Sequence, residues 1–128
     1  MKPVRFSYVR IPEKRRTITL AHQFSDDCRT AVVGWSVCRD CDTHKKKEGR
    51  IKAEARLQAE PITLTVSKES TTWFGRMADI YKHLMQLPTP TDSQKRLVKY
   101  MQYADDDRVR LSLEHIRRAY GATTPEGE

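Results

Sequence analysis

The chain has 128 residues, with 24 Lys and Arg against 17 Asp and Glu, a formal net charge of +7 and a pI near 9.5. That length holds one compact domain, expected over residues 1–121 ahead of a polar tail at 122–128, and excludes a second independent core. No window approaches the roughly 18 consecutive apolar residues of a membrane span and the N-terminus lacks a signal-peptide core, so we expect a cytoplasmic chain with no membrane partner. Three cysteines, an odd number without an export signal, imply free thiols.

Val4 to Arg10 and Thr17 to His22 alternate apolar and polar residues around Ile11-Pro12-Glu13-Lys14, which predicts two antiparallel strands. After the polar turn Ser25-Asp26-Asp27, the apolar run Thr30 to Cys38, centred on Gly34 and Trp35, is long enough for an inner third strand. Asp42 and Thr43 can cap a helix running through Lys45 to Glu60, rich in Ala, Glu, Lys, Arg and Leu, which Pro61 ends. Ile62 to Val66 is then a fourth strand.

Beyond Ser70, the residues Trp73, Met77, Ile80, Leu84 and Leu87 recur at steps of three or four and define an amphipathic helix ending before Pro88 and Pro90. Thr91 and Gln94 have the spacing of a capping box and open a further helix through Leu97, Met101, Val109, Leu113, Ile116 and Tyr120, with Asp105 to Asp107 as a break point. The expected fold is α+β: a mostly antiparallel sheet in the order β-β-β-α-β, followed by two or three C-terminal helices, with the helices on one face.

The basic excess favours phosphate, nucleotide, nucleic acid or an acidic protein surface as partner. Residues 1–20 carry +5, 43–60 carry +3 and 92–120 carry +2, so any contiguous patch has to be assembled by folding. On a helical wheel Lys46, Gly49, Arg50, Ala53, Arg56 and Leu57 fall within one arc of roughly 120°. A glycine inside a helix costs on the order of 1 kcal/mol relative to alanine, so Gly49 signals a close approach on that face. Two readings are open there. Either small residues flanked by Arg50, Arg56 and Lys46 admit a phosphate to be gripped by guanidiniums, or Arg56 lies against the sheet and pairs with a carboxylate such as Asp40 or Asp42.

Cys38, Asp42, Lys46-Lys47, Gly49-Arg50, Ala53 and Arg56-Leu57 form a C-x3-D-x3-K-K-x-G-R-x2-A-x2-R-L segment that resembles those of small bacteriophage proteins. Among these the chain is similar to the type-1 anti-Thoeris sponges, across about 20 of its 128 residues. The resemblance implies a non-enzymatic phage anti-defence protein in the cytoplasm of an infected bacterium. Such a protein sequesters a cyclic nucleotide immune signal, of cyclic ADP-ribose-like or cyclic oligonucleotide type, in a site shared between subunits of a homo-oligomer. Arg50 and Arg56 are the positions it carries over.

Trp73 and Phe74 beside Arg76 offer stacking surface next to a cation, suited to a base and its phosphate; helical periodicity favours Trp73 as core, which leaves Phe74 as the better stacking candidate, or else a subunit contact. Arg108 and Arg110, following Asp105-Asp106-Asp107, are candidates for ribose and phosphate or for a solvated helix junction. Arg15-Arg16 and Arg117-Arg118 either steer an anion from a distance or form solvated faces. Cys38 and Cys41 have C-x2-C spacing, but Cys28 is a strand's length from Cys38 and a second ligand pair is missing, which argues against zinc. The chain lacks the G-x-S-x-G, P-loop, H-E-x-x-H and dinucleotide patterns, and His22, His44, His83 and His115 are scattered. We therefore expect a binding protein without cofactor or metal, and not an enzyme. A nucleic-acid-binding or host-protein-inhibiting small basic phage protein is the alternative.

Overall fold

A computed structural model of the chain describes residues 2–39, 45–67 and 73–103, with Lys45, Lys46, Trp73 and Phe74 described in the backbone alone. Its elements are β1 (Arg5–Ile11), β2 (Arg16–Phe24), β3 (Thr30–Arg39), α1 (Lys45–Ala59), β4 (Ile62–Thr65), α2 (Trp73–Met85) and α3 (Asp92–Tyr103). The four strands form one sheet in the order β1-β2-β3-β4, each neighbouring pair antiparallel. The α+β order is the expected one. The cap proposed at Asp42 and Thr43, the break at Asp105 to Asp107 and the helix beyond it lie outside the described residues.

The β1–β2 connection is a single 3-10 turn at Pro12–Lys14. Pro12 has the fixed φ that such a turn opens with, and Arg15 closes it at φ 51°, its N–H donating to the Pro12 carbonyl at 3.0 Å. That left-handed conformation costs a residue with a Cβ roughly 1–2 kcal/mol. At the opposite end of the sheet the β2–β3 turn is held by Asp27, whose carboxylate accepts from the Ser25 hydroxyl at 2.7 Å and from the Arg29 N–H at 3.0 Å. These two bonds hold the Asp27 carboxyl below the usual carboxylate range.

Both faces of the sheet are covered, which corrects the expectation of helices on one face. Strand period puts Ile18, Leu20 and Phe24 of β2 and Ala31, Val33 and Trp35 of β3 on one side. There they form a single core with Met77, Ile80, Tyr81 and Leu84 of α2 and Leu97 and Met101 of α3. Ala21 and Gly34 project to the other side, where Ala53 and Leu57 of α1 are buried against them. The physical reason is legible in β2, which is buried without interruption from Ile18 to His22, a pattern that only a strand covered on both faces can carry.

The two covers differ in depth. The α2/α3 side is a thick apolar layer. The α1 side is a close backbone approach: a Cβ placed on Gly34 would collide with the Ala53 carbonyl oxygen and the Leu57 nitrogen. Gly49 does the same from the helix side, its missing Cβ falling 2.7 Å from Thr19 Oγ1, and the Ser36 hydroxyl donates to the Gly49 carbonyl at 2.9 Å. α1 descends antiparallel to β3, and β4 continues in the same direction along the sheet edge. β4 therefore pairs only with Thr30 to Val33, and among the described residues the rest of the β3 edge has no strand partner.

The capping box opening α3 is formed as its spacing predicts, with the Thr91 N–H donating to Gln94 Oε1 at 3.0 Å and the Gln94 N–H to Thr91 Oγ1 at 3.3 Å. Gln102 Nε2 donates to the Met85 carbonyl at 3.1 Å and ties the end of α3 to the end of α2.

Candidate functional site

The arc of small residues on α1 is occupied by the protein's own sheet. Gly49 and Ala53 are buried against Thr19, Ser36 and Gly34, so the close approach signalled by Gly49 is that of a strand. Arg56 folds back from the end of α1 to the bare edge of β3. Its Nη1 donates to the Trp35 carbonyl at 2.8 Å and its guanidinium lies 3.9 Å from the centroid of the Trp35 ring, which is 2 % exposed. One side chain thus satisfies an edge carbonyl and covers an indole. This is the sheet-facing reading of Arg56 with a main-chain carbonyl as partner; Asp40 and Asp42 lie outside the described residues.

The other residues singled out by sequence are dispersed. Arg50 is exposed on α1. Arg76 is buried on α2, on the face of the sheet opposite α1 with its exposed Arg50. The side chains of Lys46 and Phe74, and all of Arg108, Arg110, Cys41 and His44, lie outside what is described. Cys28 is buried in the turn before β3 and Cys38 half-buried near its far end.

A different set of cations is brought together where the β1–β2 turn meets α3. Lys14 Nζ lies 4.4 Å from the centroid of Tyr103. Arg16, Arg96 and Lys99 stand 5.9, 5.7 and 5.7 Å from the centroid of Tyr100, all within the ~6 Å reach of a cation–π contact. The two rings meet edge to face at 5.7 Å. Arg39, at the end of β3, stands directly opposite Arg16 in the β2–β3 register, a like-charge pairing that destabilises a sheet. Lys95 pairs with Asp92, but Lys14, Arg16, Arg39, Arg96 and Lys99 form no ion pair among the described residues. Four cations at two tyrosines, one of them 42 % exposed, with Arg39 opposite Arg16 and none of the five ion-paired among the described residues, make an anion-attracting surface.

Sequence reasoning passed over this site because its parts lie some 85 positions apart in the chain. A local signal was present in α3, where Arg96, Lys99, Tyr100 and Tyr103 interleave basic and aromatic residues at helical spacing.

His22 and Asp79 complete the titratable groups of interest. His22, 1 % exposed, lies opposite Arg5, and burial followed by the Arg5 charge pushes its pKa down to about 3. It is a neutral core histidine. Asp79 accepts from the Ser67 N–H at 2.8 Å and stands 3.6 Å from His83 one turn along α2, an arrangement that ties the end of β4 to the helix.

No protein-family model matches the chain, and comparison with curated proteins and with solved structures finds no significant match.

Proposed function

We propose that the protein works by binding a phosphate-bearing polyanion, without turnover, on the face formed by the β1–β2 turn, the end of β3 and α3. The observation that carries this reading is the cluster of Lys14, Arg16, Arg39, Arg96 and Lys99 with no carboxylate partner among the described residues. Arginines and lysines held together without counter-charge repel one another, and an anion that meets several at once relieves the repulsion. Arg15, held in a strained backbone conformation that glycine would adopt at less cost, adds a further charge to the same turn.

Sequestration of a cyclic nucleotide signal by a homo-oligomer in an infected cell is the second reading, supported by the motif around Arg50 and by the exposure of Arg50 on α1. Salt separates the two. A polyanion neutralising about five cations loses affinity with a log-log salt slope of magnitude about 3 to 5, whereas a single small nucleotide meets few charges and responds far less. We expect the steep slope when binding of a fluorescent oligonucleotide is titrated across ionic strength. A flat response with retained binding of a small cyclic nucleotide favours the second reading, and failure to bind any phosphate-bearing ligand overturns both.

A further inference from the structure

We infer that the polyanion is a single-stranded nucleic acid with a base stacked on Tyr103 while Lys14, Arg16, Arg96 and Lys99 meet its phosphates. This inference rests on the polyanion reading and adds to it the form of the ligand.

Phosphate attraction alone needs no aromatic rings, yet each of these four cations lies within ~6 Å of a tyrosine ring centroid. Tyr103 is 42 % exposed, leaving ring surface for a base. Lys14 Nζ at 4.4 Å from that ring and the three cations around Tyr100 place ammonium and guanidinium groups where the phosphates of a stacked strand run. A positively charged track interleaved with aromatic side chains is the arrangement that holds unpaired bases regardless of sequence.

A duplex fits less well. Its bases are stacked on one another and offer nothing to a tyrosine face, so recognition by α3 would require the helix to enter the ~12 Å major groove. The β1–β2 turn stands against the exposed side of α3, through the Lys14–Tyr103 and Arg16–Tyr100 contacts, and the helix does not project from the body.

The test compares three probes on the intact protein by fluorescence anisotropy: a labelled mixed-sequence oligodeoxynucleotide of about 15 nucleotides, the duplex of the same sequence, and linear inorganic polyphosphate as competitor. The single strand is expected to bind at least about tenfold tighter than the duplex. Tyr103→Ala should weaken the single strand about tenfold and leave polyphosphate competition unchanged, while Tyr103→Phe, which keeps the ring, retains single-strand affinity. Equal binding of strand and duplex, or a Tyr103→Ala variant with unaltered single-strand affinity, overturns stacking and leaves the polyanion reading standing. Equal losses in Tyr103→Phe and Tyr103→Ala assign the role to the hydroxyl and likewise overturn it. No binding to any of the three probes removes the polyanion reading together with this inference.

Discussion

Two arginines of this protein look alike on paper and differ in the fold. Arg56 and Arg16 each lie beside an aromatic ring and each donate to main-chain carbonyls. Arg56 closes on its ring at 3.9 Å and makes a 2.8 Å bond to the Trp35 carbonyl. Arg16 stands 5.9 Å from Tyr100 and makes longer 3.2 Å bonds to the Lys14 and Arg15 carbonyls of its own turn. Trp35 is buried at 2 % and belongs to the core, whereas Tyr100 is only partly buried at its margin. The first arginine finishes a sheet edge; the second is half-buried among other cations. The comparison teaches that an arginine near an aromatic residue becomes structural or ligand-facing according to whether the fold has already closed around the pair.

If the comparison is right, changes on the inward side alter stability and spare binding, and changes on the outward side do the reverse. The largest inward effect is expected at Gly34. Its Cβ would meet backbone atoms of α1, which cannot rotate aside. Gly34→Ala should lower unfolding stability in urea by about 3 kcal/mol or more as α1 is pushed from the sheet. Wild-type stability in this variant would show that the helix seats more loosely than the geometry describes.

The next effect belongs to His22 and is read against pH. Its folded pKa is lowered to about 3 from a model-peptide value of 6.5, so the unfolded chain takes up a proton that the folded one refuses. The contribution is fully present above pH 6.5 and is lost as pH falls toward 3, with a slope of up to about 1.4 kcal/mol per pH unit. Urea unfolding between pH 7 and 5 should show roughly 2 kcal/mol of this loss. A well-folded His22 variant in which the slope is undiminished would assign the acid sensitivity elsewhere.

The smallest of the three inward effects is Arg56→Met, which keeps apolar cover on Trp35 but leaves its carbonyl without the guanidinium. A loss of about 1–2 kcal/mol is expected, with anion affinity within a factor of about two, the change of a single distant charge. A large loss of affinity with no loss of stability would reverse the assignment of Arg56 and restore the ligand-gripping reading of α1.

Much of the fold was legible before the structure. Strand alternation marked β1 and β2, the apolar run around Trp35 marked β3, Pro61 marked the end of α1, and Thr91 with Gln94 marked the start of α3, because each depends on contacts within a few residues. The occupant of the α1 face was not legible. A helical wheel gathers Gly49, Ala53 and the flanking cations, but the same small residues admit a strand as readily as a phosphate. The deciding partner was Gly34, whose place in a strand interior was itself a sign of close backbone approach. The cation–tyrosine face was hidden for a related reason: Lys14 and Arg16 reach α3 only once β1, β2 and the core beneath them are assembled.

The measurement that tests the central claim most directly sets the two regions against each other. Binding of a labelled single-stranded oligonucleotide is compared for wild type, Arg16→Ala/Lys99→Ala and Arg50→Ala/Lys52→Ala, each variant removing two exposed or half-exposed charges. The account predicts that Arg16→Ala/Lys99→Ala, with its fold verified by circular dichroism, loses at least about tenfold in affinity and lowers the magnitude of the salt slope by about 1 to 2. It predicts that Arg50→Ala/Lys52→Ala stays within about threefold of wild type, the effect of net charge alone. The opposite pattern, with affinity lost from α1 and kept at Arg16 and Lys99, would contradict the account and move the site to the α1 helix.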